Sequence, residues 1–369
     1  MGRQECAVPL HPPLPRPQLH PVQRRSESVR QAGRRWTLAT LAIPAVVVLA
    51  VVPAARAAQP YDGKTITIIV GYKPGGGYDR TARLLARHLP KHIPGKPTII
   101  VQNMPGANSI VAANHVYNLA RPDGLTIGTF NRNLPLAQLT RVEGVRFDIT
   151  KFAWIGSAAS ESTILTLHSD LPYKTLDDLR KAEKPIVIGT TGPGANTHDF
   201  PLLLKELLGF NFKIVSGYSS SADIMLAVER KEVDGRAGSY TSLRPFIDRG
   251  LVRPVVRARA TEPGIEKLPV DEDLATAPRA KAIMALRSGP EIVGRPYVMP
   301  PGTPDALVKI VREAFVRVAR DPELVDEATR AKMEIEYVSD VEALKIIREV
   351  LGQPRDVVDE FSKYIKFGD

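Results

Sequence analysis

Two segments of this chain share one build, and that build limits what the chain can fold into. Each is a short apolar strand, then a glycine-rich loop, then a helix. The first is Ile66–Val70, the loop Gly71-Tyr72-Lys73-Pro74-Gly75-Gly76-Gly77-Tyr78-Asp79 and a helix expected from about Arg80. The second is Pro185–Gly189, the loop Thr190-Thr191-Gly192-Pro193-Gly194-Ala195-Asn196-Thr197 and a helix expected from about His198. A strand that feeds a helix through glycines points unpaired backbone N–H groups outward at the positive end of the helix dipole, a place for an anion that needs no charged side chain. Two such sites, far apart in sequence, imply two lobes gripping one small anion.

The first 57 residues read as a leader rather than as part of that fold. Residues 1–35 are rich in Pro and Arg without hydrophobic period, and Arg34-Arg35 precede an almost uncharged apolar run, Trp36–Pro53. Ala55-Arg56-Ala57 then supplies an A-x-A cleavage signal, so residues 1–57 are expected to include a signal peptide removed after Ala57. A retained membrane anchor is the alternative, although the run is near the lower limit for a span. The stretch before the apolar run is long for such a signal, and a start near Val29 would give it ordinary length. Eight of the 50 basic and two of the 40 acidic residues fall in 1–57, so the remainder carries a net charge of +4 rather than +10. That balance argues against nucleic acid as the partner. The sole cysteine, Cys6, lies in the leader too. Residues 58–369 therefore offer no disulfide, thiol nucleophile or cysteine metal site, which suits an oxidising compartment.

From residue 58 onward, strand and helix patterns alternate. Strands are expected at Thr98–Gln102, Thr126–Phe130, Phe152–Ala158, Thr163–Leu167, Lys213–Val215, Val233–Ala237 and Val252–Arg257. Helices are expected at Arg80–Leu89, Ser109–Leu119, Leu176–Lys181, Asp199–Leu208 and Ala222–Arg230, with a further one after Thr303-Pro304-Asp305. Such alternation makes mostly parallel sheets covered by helices. The expected division is lobe 1 from residues 58–164 plus 258–369, with lobe 2, residues 165–257, inserted between two crossing strands.

Several motifs, in order, resemble the substrate-binding proteins of tripartite tricarboxylate transporters, the Bug family of periplasmic receptors. They are Gly71-Tyr-Lys-Pro-Gly-Gly-Gly-Tyr-Asp, Asn103-Met-Pro-Gly-Ala-Asn, Ala120-Arg-Pro-Asp-Gly-Leu-Thr-Ile, Leu171-Pro-Tyr-Lys-Thr-Leu-Asp-Asp-Leu, Gly189-Thr-Thr-Gly-Pro-Gly-Ala-Asn, Glu229-Arg-Lys-Glu-Val-Asp-Gly and Pro300-Pro-Gly-Thr-Pro. The likeness covers nearly all of residues 60–350. It implies an α/β protein with the type II periplasmic-binding-protein fold, two lobes joined by a hinge around a cleft. It also implies an exported, periplasmic, monomeric receptor for a small carboxylate, without cofactor or metal, whose partners are the membrane subunits of a secondary transporter.

Carried over by position, the ligand-binding residues are Tyr72, Gly75, Gly76, Gly77, Asp79, Asn131, Thr191, Gly192, Gly194, Asn196, Thr197, His198, Tyr218 and Tyr240. Simpler roles stand beside these. Asp79 reads mainly as a helix cap that shapes its loop. His198 is equally an ordinary first-turn residue, Tyr218 and Tyr240 could be packing groups, and Asn131 could be a strand-end turn residue. The chain departs from the family at Gly217, at Ser219-Ser220-Ser221 and across Asp234–Tyr240, which puts the ligand-selective wall of the second lobe in question. The cations Lys73, Arg132 and Arg236 fall at or near cleft loops and are expected to favour a ligand with more than one carboxylate. The alternative function is an exported α/β enzyme for a small anionic substrate, with His198 and Asp79 as acid–base groups. No P-loop ending, G-x-S-x-G elbow or HExxH motif supports it.

Overall fold

In the computed structural model, which describes residues 59–260, 262–333 and 335–365, the first apolar run is β1 (Thr65–Val70). The expectations about the leader, its cleavage and Cys6 lie outside the described residues. β1 runs parallel to β2 (Thr98–Asn103) on one side and to β3 (Thr126–Thr129) on the other. Its faces are both apolar because both are covered, as a parallel sheet requires. Ile66, Ile68 and Val70 pack with Ala82 and Leu85 of the Gly77–His88 helix and with Val311 and Phe315 of the Asp305–Val318 helix. Ile69 faces the other way, into a cluster with Ile110, Phe130, Trp154 and Ile347.

β4 (Ala153–Ser157) follows, and the chain then passes into a second sheet through β5 (Thr163–His168), β6 (Ile186–Gly189), β7 (Phe212–Val215), β8 (Gly235–Ser239) and β9 (Val252–Arg257). It rejoins the first sheet with β10 (Pro296–Met299) and β11 (Val338–Ser339). The strand orders are β11-β4-β10-β3-β1-β2 and β7-β6-β8-β5-β9. β10 is antiparallel to both β3 and β4, while β5 is antiparallel to both β8 and β9. The second sheet is also covered twice. Leu165 and Leu167 pack with Phe200 and Leu204 on one face, and Ile164 packs with Met225, Val228 and Leu243 on the other.

The two connections between the sheets touch each other. Ala158 N donates to Arg295 O at 3.1 Å, Arg295 N donates to Ala159 O at 3.3 Å, and Glu161 N donates to Glu291 O at 3.2 Å. Two side-by-side crossings of this kind form a hinge.

Element boundaries differ from expectation where the cleft lies. The two helices after the glycine loops begin earlier, at Gly77 and Asn196 rather than Arg80 and His198. Their first turns are closed by Arg80 N to Gly76 O at 3.0 Å and by Asp199 N to Ala195 O at 2.9 Å, so loop residues become helical. β8 lies two residues later than Val233–Ala237. Val233 packs in the core, and Asp234 pairs instead with Val187, whose N–H donates to its carboxylate at 2.7 Å.

Candidate functional site

Four helices start at the cleft between the sheets: Gly77–His88 against the first, and Asn196–Leu208, Ser221–Glu229 and Tyr240–Asp248 against the second. Gly77, Asn196, Ser221 and the cap residue Ser239 all line one cavity of about 640 Å³, counting its open mouth. Converging helix N-termini make the cavity favourable to negative charge before any side chain is considered.

The second glycine loop is shaped by cross-cleft bonds. Gly194 adopts φ +85, which favours glycine, and turns its carbonyl towards the first sheet. That carbonyl accepts from Asn131 Nδ2 at 3.0 Å and from Asn133 Nδ2 at 3.3 Å. Asn108 Nδ2 donates to the neighbouring Pro193 carbonyl. At the outer mouth Lys73 Nζ donates to Ser219 Oγ at 2.9 Å.

Charge is concentrated deeper. Glu161, on the first crossing between the sheets, is buried between two arginines: Arg132 Nη1 meets one carboxylate oxygen and Arg295 Nη2 the other. Arg132 Nη2 also donates to Thr163 Oγ1 at 3.1 Å, and Arg295 Nη2 to Thr241 Oγ1 at 3.2 Å. With its amide oxygen turned to the guanidinium, Asn196 accepts from Arg132 Nε at 3.0 Å. Burial alone would raise the Glu161 carboxyl, but Arg295 and Arg132 outweigh it and hold it below the ordinary value. Burial would likewise lower the Arg132 guanidinium, yet Glu161 holds it above its usual range. Arg236, on β8, lines the same cavity without an acidic partner among the described residues, and burial pushes it down to about 10.

The residues expected from the sequence separate into three groups. Tyr72, Gly76, Gly77, Asn131, Thr191, Asn196 and Thr197 line the cavity. Tyr218 sits at a second, outer cavity with Lys73, Asn108 and Ser219. Gly75, Asp79, Gly192, Gly194, His198 and Tyr240 do not line the inner cavity but build around it. Asp79 accepts from Gly75 N at 2.9 Å and is held by Arg83 and Asn103, so it shapes the loop from the first helical turn while Gly76 takes the cap position. His198 is buried beside Asp199, whose carboxylate accepts from Gly194 N at 2.9 Å. Tyr240 packs with Leu243 and Val228. Of the three cations read from the sequence, Lys73 is at the mouth, Arg132 is neutralised by Glu161, and Arg236 is unmatched.

Sequence reasoning did not find Tyr78, Glu161, Ala195, Ser242 and Arg295, and it met Ser220, Ser221, Gly238 and Ser239 only as part of the divergent wall of the second lobe; all of them line the cavity. Tyr78 stacks on Tyr72 at 5.2 Å and its hydroxyl accepts from Arg132 N at 3.0 Å. Its place directly after the glycines was the available signal. Glu161 and Arg295 carry no local pattern, because only the paired crossings bring them together. Among the described residues no cluster of His, Cys, Asp and Glu could hold a metal ion.

The family model described as "Tripartite tricarboxylate transporter family receptor" matches residues 81–362. The chain belongs to that family. Among curated relatives, the receptor is 25% identical over 324 residues to a UPF0065 protein of Bordetella pertussis, spanning 86% of this chain and 95% of the relative. Among solved structures it is similar to the periplasmic binding protein BugD, with a TM-score of 0.66, 20% identity, and coverage of 82% of this chain and 98% of that one. It is similar also to MatC from Rhodopseudomonas palustris with bound malate, with a TM-score of 0.65, 20% identity, and coverage of 80% and 99%. The receptor thus has the expected α/β fold of two lobes about a cleft, the fold of the periplasmic binding protein BugD. Among the described residues no helix is long and apolar enough to cross a membrane.

Proposed function

We propose that this receptor is exported with cleavage after about Ala57, works as a monomer, and captures a small di- or tricarboxylate or related organic acid in the cleft. It presents that acid, chemically unchanged, to the membrane subunits of a tripartite tricarboxylate-type transporter. The two lobes, one built on each sheet and divided close to the expected 165–257 segment, move about the paired crossings at residues 158–161 and 291–295. The observation that carries this reading is the cavity itself: among the described residues, four helix N-termini and three arginines surround it, against the single carboxylate of Glu161. The malate held by MatC supports a carboxylate as the ligand class. The enzymatic alternative gains nothing from the geometry, since its acid–base pair, Asp79 and His198, is engaged elsewhere and lies outside the cavity lining.

The test is a thermal-shift screen of the full chain, unfolded and refolded to remove carried ligand, against mono-, di- and tricarboxylates, aromatic acids and acidic amino acids. A true ligand at a hundred times its Kd should stabilise by about 2.7 kcal/mol. A selective shift with the compound recovered unchanged is the expected result. No shift across the panel, or conversion of the compound, would overturn the reading.

A further inference from the structure

Four guanidinium groups are essentially removed from solvent among the described residues: Arg132, Arg236, Arg287 and Arg295. Arg132 and Arg295 share Glu161, and Arg287 has Asp271 and Glu291. Of these four, only Arg236 lacks a carboxylate within ion-pair reach among the described residues. Its Nη2 donates to Ser242 Oγ at 3.2 Å, its Nη1 has only a long contact of 3.5 Å to Ala237 O, and its Nε has no partner. An isolated buried cation is costly, and proteins normally match it with an anion.

The surroundings are shaped to hold this group. The Arg236 backbone carbonyl accepts from Thr166 Oγ1 at 3.0 Å, fixing the strand beneath the side chain. Gly238, the next residue on the same strand face, leaves the space the guanidinium uses: a Cβ there would stand 2.8 Å from Nη1. Both Arg236 and Gly238 line the cavity. With Arg132, Arg236 and Arg295 against Glu161, the lining has two positive charges in excess. A monoanion would leave one of them unmatched on buried side chains. A dianion matches both.

We propose that Arg236 determines the specificity of this cleft: its guanidinium takes one carboxylate of the ligand while the helix N-termini and the Arg132–Glu161–Arg295 cluster receive another, so the receptor selects dicarboxylates over monocarboxylates of similar size. This rests on the carboxylate-receptor reading above. Arginine suits the role because its planar fork binds a carboxylate in two parallel hydrogen bonds.

The experiment measures Kd calorimetrically on the refolded full chain for succinate, malate and adipate, for butyrate, and for the monomethyl esters of succinate and adipate. Each ester is expected to bind about 10- to 100-fold more weakly than its parent dianion, the worth of a charged hydrogen-bonded pair. Arg236→Met should weaken the best dicarboxylate by a similar factor and weaken butyrate and the ester by clearly less, and Arg236→Lys should fall between. The ester comparison uses only the wild-type chain and so stands even if Arg236→Met does not fold. Dianion and ester binding alike to wild type, or Arg236→Met weakening acids and esters equally, would overturn the role of Arg236 and leave the receptor reading intact. No binding by any carboxylate would overturn the receptor reading and this inference with it.

Discussion

The cleft holds buried arginines in two settings. At the hinge, Arg132 and Arg295 share the Glu161 carboxylate and donate to threonine hydroxyls, so each has an acidic partner within the protein although one of their two charges stays in excess. On β8, Arg236 is equally buried and has only a serine and a backbone carbonyl. The first arrangement is structural, since it ties the Thr126–Thr129 strand end and both crossings between the lobes to one carboxylate. The second is incomplete without an anion. Removing a partner from the first should therefore damage the fold, and removing the charge from the second should relieve it.

The largest effect is expected at Glu161. Glu161→Gln leaves two buried guanidinium groups without their carboxylate and should cost about 3–5 kcal/mol in urea unfolding. The same residue predicts an acid response. Its folded pKa is depressed by Arg295 and Arg132 against the opposing effect of burial, so the stability it lends is present above its unfolded value of about 4.5 and is lost as pH falls through the lower folded value. Glu161→Gln should flatten that acid limb; an unchanged limb would mean the pair contributes no differential proton binding.

Arg236→Met should move stability the other way. Without ligand, it removes an unmatched buried charge and orphans no acid, so unfolding free energy should rise by about 2 kcal/mol. Its pH signature also contrasts with that of Glu161. A base whose pKa burial lowers to about 10 imposes its cost at all lower pH, and the cost is relieved only as pH rises from there towards the ordinary guanidinium value. Between pH 6 and 8 Arg236 should add no slope. A ligand-free Arg236→Met protein less stable than wild type would dissolve the contrast between the two settings.

The smallest effect is expected at Gly238. Gly238→Ala places a methyl group against Arg236 Nη1, where a Cβ would lie at 2.8 Å. Pushing the guanidinium off its preferred rotamer should cost about 0.5–1.5 kcal/mol. The loss should vanish in the Arg236→Met background, which thermal melts of the single and double variants would show. Equal losses in both backgrounds would mean that Gly238 serves the strand and not the arginine.

The parts of the site legible in the sequence are those built from contiguous residues. Glycines between an apolar strand and a helix locate Gly76 and Gly77, and the second loop locates Thr191, Asn196 and Thr197, because a glycine-rich strand-to-helix turn is a local device. The exact helix starts were less legible, since Gly77 and Asn196 are poor interior helix residues that the first turn nonetheless accommodates. β8 was hardest among the strands. Its sequence Gly-Arg-Ala-Gly-Ser has no apolar alternation, and pairing with β5 along its length and with β6 at Gly235 makes it a strand despite that composition.

By itself the sequence determined the alternation of strands and helices, the two anion-attracting loops and the family. It also placed Arg236 near the cleft as one of three candidate cations, without ranking them. Only the tertiary structure ranked them. Lys73 meets Ser219 at the exposed mouth, Arg132 meets Glu161, and Arg236 meets no acid among the described residues. The reason is physical. Whether a buried charge is answered depends on groups that approach through space, and Glu161 and Arg295 enter the site from two chain crossings that no local pattern of residues encodes.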